Sequence, residues 1–315
     1  MNPLLTTLGS KLTERWLNLL VLPGALFLAV TAVGTTLGHR HWQDLDRLRA
    51  TLDELAARPA LERPGTAALL AALALLAAAA ASLAAQFLGG AVEHHWLRHP
   101  RGPLSRALTE RRRRHWTARD EKVDAALRQT IADPAPDPGG PHPAPHPESP
   151  SARALARLRS RIEARDRLAL RRPSRPTWYG DRMQTTADRV ADAYGVDLAA
   201  LWPRLWLTLP EPAVRQLQSA GDSFSAAARL AAWALGYALL ACWWWPAALI
   251  AVGCAAVART RARTALDALA ELIEAAVDVH GRELAARVGL LPSDAPGRLT
   301  RRTGDGMSEL FRKAE

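Results

Sequence analysis

Lysine is almost missing from this chain of 315 residues: Lys11, Lys122 and Lys313 are all there are, and asparagine occurs only at Asn2 and Asn18. Beside abundant Ala, Arg, Pro and Gly, these scarcities read as the codon choice of a GC-rich genome. Arginine enrichment then has a compositional origin, and the formal charge of +10 is a weak sign of phosphate binding. Cysteine is just as sparse. Cys242 and Cys254 both lie in the most apolar part of the chain, which excludes a disulfide framework and leaves them as packing residues. No CxxC, Cys/His zinc spacing, P-loop, GxGxxG or nucleophile-elbow pattern occurs, so the common signatures of nucleotide, zinc and acyl-transfer chemistry are absent.

What the chain has instead is long stretches without charge. Trp16 to Leu37 carries none for 22 residues, a helix of about 33 Å against a bilayer core of about 30 Å. It reads as a first transmembrane helix, kinked at Pro23 and Gly24; a cleaved signal peptide is the competing reading, because Lys11 and Arg15 precede the apolar core. Thr66 to Val92 is a second charge-free run with no polar face and reads as a second span. The third apolar region, Phe224 to Ala258, has "CWWWP" at its centre. It reads as a hairpin whose turn, Trp243, Trp244, Trp245 and Pro246, reaches the far interface, with Arg229 snorkelling at its near edge; one long kinked span is the alternative.

Charge sets the orientation. Arg98, Arg101, Arg106, Arg111 to Arg114, Arg119 and Lys122 follow the second span, against only Glu93, Glu110, Asp120 and Glu121. The positive-inside rule then puts the N-terminus and everything after Val92 in the cytoplasm, and Arg259, Arg261 and Arg263 agree if the third region is a hairpin. Both termini are then cytoplasmic. The expected fold is all-α: a polytopic membrane protein of about four transmembrane helices in two hairpins, with a helical cytoplasmic domain. Residues 1–98 form the two-span region with an outer helical loop at 39–65, and 99–131 a basic helix. Residues 132–150 are a Pro-rich flexible linker, 151–222 a helical domain, 223–259 the hairpin, and 260–315 an amphipathic helix with an unstructured tail from Pro292.

In the outer loop, Leu45, Leu48, Leu52 and Leu55 mark one helix face, suited to a second copy of the chain or to packing within the monomer. Leu266, Leu269, Ile273, Ala276, His280 and Leu284 mark another after the hairpin. The basic helices have an electrostatic partner in the anionic phospholipid headgroups of the bilayer. Nucleic acid is disfavoured because no aromatic side chains interleave with the arginines to stack bases.

Candidate chemistry is thin. His95 and His99 are four apart beside Glu93 and His94, a spacing that can chelate a metal on one helix face, but a third ligand is missing and interfacial histidines explain them better. His39 and His41 read the same way. Asp181, Asp188 and Asp192 recur near Arg182 and Arg189 as a solvated helix face. No catalytic, cofactor-binding or metal-binding residue is assigned.

The densest local pattern runs from Pro176 to Pro210, "PTWYGDRMQTTADRVADAYGVDLAALWPRLWLTLP". Thr177 or Asp181 caps a helix that Tyr194 and Gly195 end, and Asp197 caps a short helix carrying Leu198, Leu201 and Trp202, which Pro203 interrupts before Arg204 and Trp206. The Trp/Pro/Arg cluster suits either a membrane-interface joint or a buried one. Pro176, Thr177, Gly180, Asp181, Tyr194, Gly195, Asp197, Trp202, Pro203, Arg204, Leu205, Leu209 and Pro210 together resemble the P-T-x-x-G-[ND], Y-G-[LVI]-D, W-P-R-L and L-P signature of a family of bacterial integral membrane proteins common in actinobacteria. "ERWLNLLVLPGALF" near the N-terminus is similar as well. The resemblance implies a membrane topology and no activity. The leading expectation is a non-enzymatic inner-membrane protein with Trp16, Arg229 and Trp243 to Trp245 at the interfaces, acting by assembly or by binding an unidentified protein partner. A membrane-disrupting defence effector and a small transporter or channel are the alternatives.

Overall fold

A computed structural model describes residues 21–39, 42–57, 63–99, 102–132, 150–292 and 297–312. Trp16, His41 and the Pro-rich linker at 133–149 lie outside the described residues, as do the side chains of Leu45, Leu52 and Leu55. Every regular element among the described residues is a helix. In order these are α1 (Leu22–Leu37), α2 (Leu45–Ala56), α3 (Pro64–Leu97), α4 (Pro103–Ala132), α5 (Pro150–Asp166), α6 (Trp178–Tyr194), α7 (Leu198–Trp206), α8 (Glu211–Leu240), α9 (Pro246–Arg287) and α10 (Arg301–Arg312). The chain divides into two compact units, Met1–His94 with Asp222–Thr264, and His95–Gly221 with Ala265–Glu315.

The first unit is built from apolar helices. Two helices, Pro64–Leu97 and Glu211–Leu240, are long and apolar enough to cross a membrane, and Leu22–Leu37 is apolar but shorter. Leucine and alanine, both strong helix formers, make up most of α3. Its buried residues are Ala78, Ser82, Ala85 and Gly89, spaced four, three and four apart, so one seam of small side chains faces inward. On the part of α9 in this unit, up to Thr264, the buried residues are all alanine: Ala247, Ala251, Ala258 and Ala262. Gly24 of α1 sits so close to α3 that a Cβ there would overlap the Ala78 carbonyl. Large side chains point the other way, with Leu76 66% and Phe87 80% exposed, alongside Leu26, Leu69, Leu239, Leu249 and Val252.

One expectation changes here, and another falls at the edge of the described residues: Pro23 stands in the first described turn of α1, and the part of the run before Val21 lies outside the described residues. The helix after the tryptophan turn does not stop at Ala258; α9 continues unbroken from Pro246 to Arg287. The third apolar region is broken as its sequence suggests, with α8 ending at Leu240 and α9 starting at Pro246, and Tyr237 and Leu240 pack against Ala247 and Ala251. Phe27 of α1 joins them, 5.4 Å from Trp233 and 5.3 Å from Tyr237 between ring centres.

The second unit has a conventional apolar core. Leu201 and Leu205 of α7, Leu266 and Val277 of α9, and Met307 of α10 are among its fully buried side chains. The face marked by Leu266, Ile273, Ala276 and Leu284 is the buried face of α9, with His280 half-buried at its edge. The tail read as unstructured contains α10, whose Met307 and Phe311 enter this core against α7. α4 and α5 pair through their own arginines. Arg119 donates to the Ala164 carbonyl, Arg161 to the Lys122 carbonyl at 3.0 Å, and Arg165 bonds Asp120 at 2.9 Å. Several arginines that the charge pattern assigned to lipid are therefore engaged within the unit.

Candidate functional site

A connected cluster of polar groups lies in the second unit, where the start of α6 meets the last turn of α3. Thr177 is the N-cap of α6: its hydroxyl oxygen accepts from Gly180 N at 3.0 Å and its O–H is donated to the Trp96 carbonyl. Half-buried Pro176 precedes it, and the Trp96 and Tyr179 rings stack at 4.4 Å. Gly180 is buried against the same carbonyl.

Asp181 departs from the solvated position read from sequence. It is 5% exposed, accepts from Ser174 N at 2.8 Å and Arg175 N at 2.7 Å, and lies 2.6 Å from the Arg112 guanidinium. Arg112 also donates to the carbonyls of Arg175 and Leu168, at 2.8 and 2.9 Å, and Arg113 donates to that of Pro173 at 2.8 Å. One carboxylate and two arginines thus gather the strand of loop between α5 and α6. Burial pushes the Asp181 carboxyl above its ordinary value, opposed by Arg112 and the two amides; burial likewise lowers Arg112 and Arg175.

One turn along, Arg182 is buried and reaches α9, bonding Asp267 at 2.6 Å and lying 3.9 Å from Glu274, which Arg189 also approaches at 3.3 Å. Asp188 accepts from Gln184 at 2.8 Å, and Asp192 pairs with Arg171 at 2.7 Å. These carboxylates each have a partner, and the Thr186 hydroxyl joins Glu274 at 3.2 Å.

The second half of the motif punctuates helices. Tyr194 ends α6 and donates its hydroxyl to Asp278 at 2.8 Å, a bond that, with burial, raises the phenol above its ordinary value. Gly195 follows at φ 69°, a left-handed conformation that glycine adopts without strain, and its N–H returns to the Ala191 carbonyl. Asp197 caps α7 by accepting from Ala199 N at 3.0 Å, and it pairs with Arg312 at 3.0 Å. Ser308 of α10 accepts from Asp197 N at 2.9 Å and donates to the Gly195 carbonyl at 3.1 Å.

Pro203 does not interrupt α7. The helix runs through it to Trp206, with Pro203 exposed on its outer side. Leu201 and Leu205 enter the core, while Trp202 and Trp206 are half-buried with rings 5.9 Å apart. Arg204 donates to the Ala200 carbonyl at 2.7 Å and lies over the Phe311 ring at 4.9 Å. Leu209 is buried and exposed Pro210 leads into α8. The Trp/Pro/Arg segment thus packs against α10 within the second unit through Leu205 and Arg204.

At the tryptophan turn of the first unit, Trp243 is 62% exposed and Trp245 meets Trp42 at 4.8 Å, but Trp244 turns inward onto Gly34. Arg229 is exposed on α8. His95 and His99 do not share a helix face, because α3 ends at Leu97, and no group of three His, Cys, Asp or Glu side chains suited to a metal occurs among the described residues.

The motif's partners were invisible in the sequence. Arg112 is one of four consecutive arginines, and Trp96, Ser308 and Arg312 are separated from the motif by long stretches of chain. No family model, curated protein or solved structure matches this chain.

Proposed function

We propose that this chain is a multi-pass protein of a bacterial inner membrane, with four spans in two hairpins and both termini cytoplasmic, that works by assembly or partner binding at the inner face and not by catalysis. The observation that carries the membrane reading is the inverted burial along α3 and the first part of α9: alanine, glycine and serine inside, leucine, valine and phenylalanine outside. Water would penalise that exterior by about 25 cal/mol for each Å² of apolar surface, whereas lipid does not. α1, α3, the apolar half of α8 and the first part of α9 supply the four spans, and the exposed Trp243 and Trp245 suit an interface.

The reading as a binding protein draws on the second unit. Its motif residues are engaged in caps, ion pairs and core contacts, while Ile131, Leu207 and Val279 remain exposed as contact surface for a protein partner or a second copy. The resemblance to bacterial integral membrane proteins favours the same topology. Two measurements test it. After expression in a bacterial host, the protein stays with membranes through an alkaline wash, and a reporter fused after Glu315 is active only where cytoplasmic reporters are; release by the wash or a periplasmic signal rejects the reading.

A further inference from the structure

The first unit contains a cavity of about 550 Å³ whose lining includes Pro23 from α1, Ser82 and Gln86 from α3, Arg229 and Trp233 from α8, and Arg261 from α9. Ser82 is 3% exposed and its hydroxyl has no hydrogen-bond partner, although a helical serine ordinarily satisfies itself on the preceding turn. Among the described residues neither Arg229 nor Arg261 makes an ion pair or hydrogen bond, in contrast to the engaged arginines of the second unit. Gly89 of α3 lies against the Arg229 backbone, so the two helices approach closely at the level of that arginine.

Helix lengths and contacts set Arg229 about one turn inside the charged end of α3, where Glu93 accepts from the Ser225 hydroxyl at 2.9 Å. Between Arg229 and the tryptophan turn α8 has 11 residues, Leu230–Leu240, about 17 Å. On α9 the apolar stretch Pro246–Ala258 is 13 residues, about 20 Å. The uncharged run of α3, Thr66–Val92, is 27 residues, about 40 Å. A bilayer core is about 30 Å thick, so the second hairpin presents its cations where α3 is still uncharged. A guanidinium there is accommodated by snorkelling, by local thinning of the bilayer or by an anion.

We propose that this cavity binds a phosphate oxyanion through Arg229 and Arg261, with the Ser82 hydroxyl as a further donor. The source favoured by the lining is the phosphodiester of an anionic phospholipid, because Pro23, Ala85, Leu230 and Trp233 offer an apolar wall to its acyl chains. Inorganic phosphate shares the headgroup chemistry but not that wall. The proposal rests on the membrane reading above, and it adds a discrete binding site inside the helical bundle to the general attraction of basic helices for a lipid surface.

The test is native mass spectrometry of the full-length protein extracted in mild detergent. The wild-type protein is expected to retain an adduct of phospholipid mass, at least about fivefold depleted in the Arg229→Gln/Arg261→Gln double variant, a loss of about 1 kcal/mol or more in binding. Arg229→Lys retains the adduct and Ser82→Ala loses less than the double variant. To keep the result independent of whether the double variant folds, the wild-type adduct is challenged with short-chain phosphatidylglycerol and with short-chain diacylglycerol; only the first displaces it. An adduct of inorganic phosphate mass alone, removed by the double substitution, identifies the free ion as the source. No adduct on membrane-extracted wild type, or equal displacement by diacylglycerol, overturns the site. Recovery of the wild type in the soluble fraction without detergent instead rejects the membrane reading.

Discussion

The two units solve burial in opposite ways. In the first, α3 and the part of α9 up to Thr264 turn alanine, serine and glycine inward and present leucine, phenylalanine and valine outward. In the second, Leu201, Leu205, Leu266 and Met307 are inside, and even the buried ions Asp181 and Arg182 have partners of opposite sign. Close backbone approach, as at Gly24, supplies van der Waals contact between α1 and α3, while the large side chains inside the first unit, Phe224, Tyr237 and Leu240, come from α8. In the second, large buried side chains and partnered buried charges are the arrangement that folding in water favours. One chain therefore carries two rules for what a leucine is worth.

Four substitutions should break or sharpen that contrast: three in decreasing order of effect, and Leu76→Ala as the exposed counterpart of Leu205→Ala. Asp181→Ala leaves the Arg112 guanidinium and the amides of Ser174 and Arg175 without their acceptor, and thermal unfolding of the detergent-solubilised chain should register a loss of about 3–5 kcal/mol in the second unit. Leu205→Ala empties a fully buried site and should cost about 2–5 kcal/mol by the same measurement, whereas Leu76→Ala, at a side chain 66% exposed, should leave unfolding within about 0.5 kcal/mol of wild type. Equal effects at Leu205 and Leu76 would erase the difference between the units. Asp197→Ala removes the α7 cap and the Arg312 pair, and should cost about 0.5–2 kcal/mol.

A pH effect follows from the same residue. Burial acts to raise the Asp197 carboxyl but is outweighed by Arg312 and the amides of Ala200 and Ala199, so its value lies below the ordinary one. A depressed carboxylate contributes its full stabilisation above about pH 4 and loses it as pH falls through the lower, folded-state value. Proteolytic cleavage around α10 should therefore accelerate below about pH 4. The Asp197→Asn variant should cleave faster than wild type at neutral pH and lack this acid-dependent acceleration; an unchanged profile in the variant would assign the effect elsewhere.

What the sequence made legible was local. Thr177, Gly195 and Asp197 act on backbone groups within four residues, so helix ends could be read from residue type and spacing. The break between Leu240 and Pro246 was legible for the same reason, since proline starts a helix more readily than it continues one. Long-range choices were not legible. Asp181 looks like any acid on a charged helix until Arg112 is brought to it, and nothing in the run Arg111 to Arg114 marks which arginine turns inward. The α10 segment hid because its apolar residues are only Met307, Leu310 and Phe311 among charges and glycines, and its order comes from fitting a core made elsewhere. Pro203 misled because loss of one helix hydrogen bond was weighed without the packing of Leu201 and Leu205 on either side.

The central claim, that the first unit crosses the membrane with the tryptophan turn on the far side, can be tested at Cys242, an exposed thiol within that turn. In a Cys254→Ser background, a membrane-impermeant maleimide added to intact bacterial cells should label Cys242 without permeabilisation. Labelling only after the inner membrane is opened would place the turn on the cytoplasmic side and contradict the four-span account.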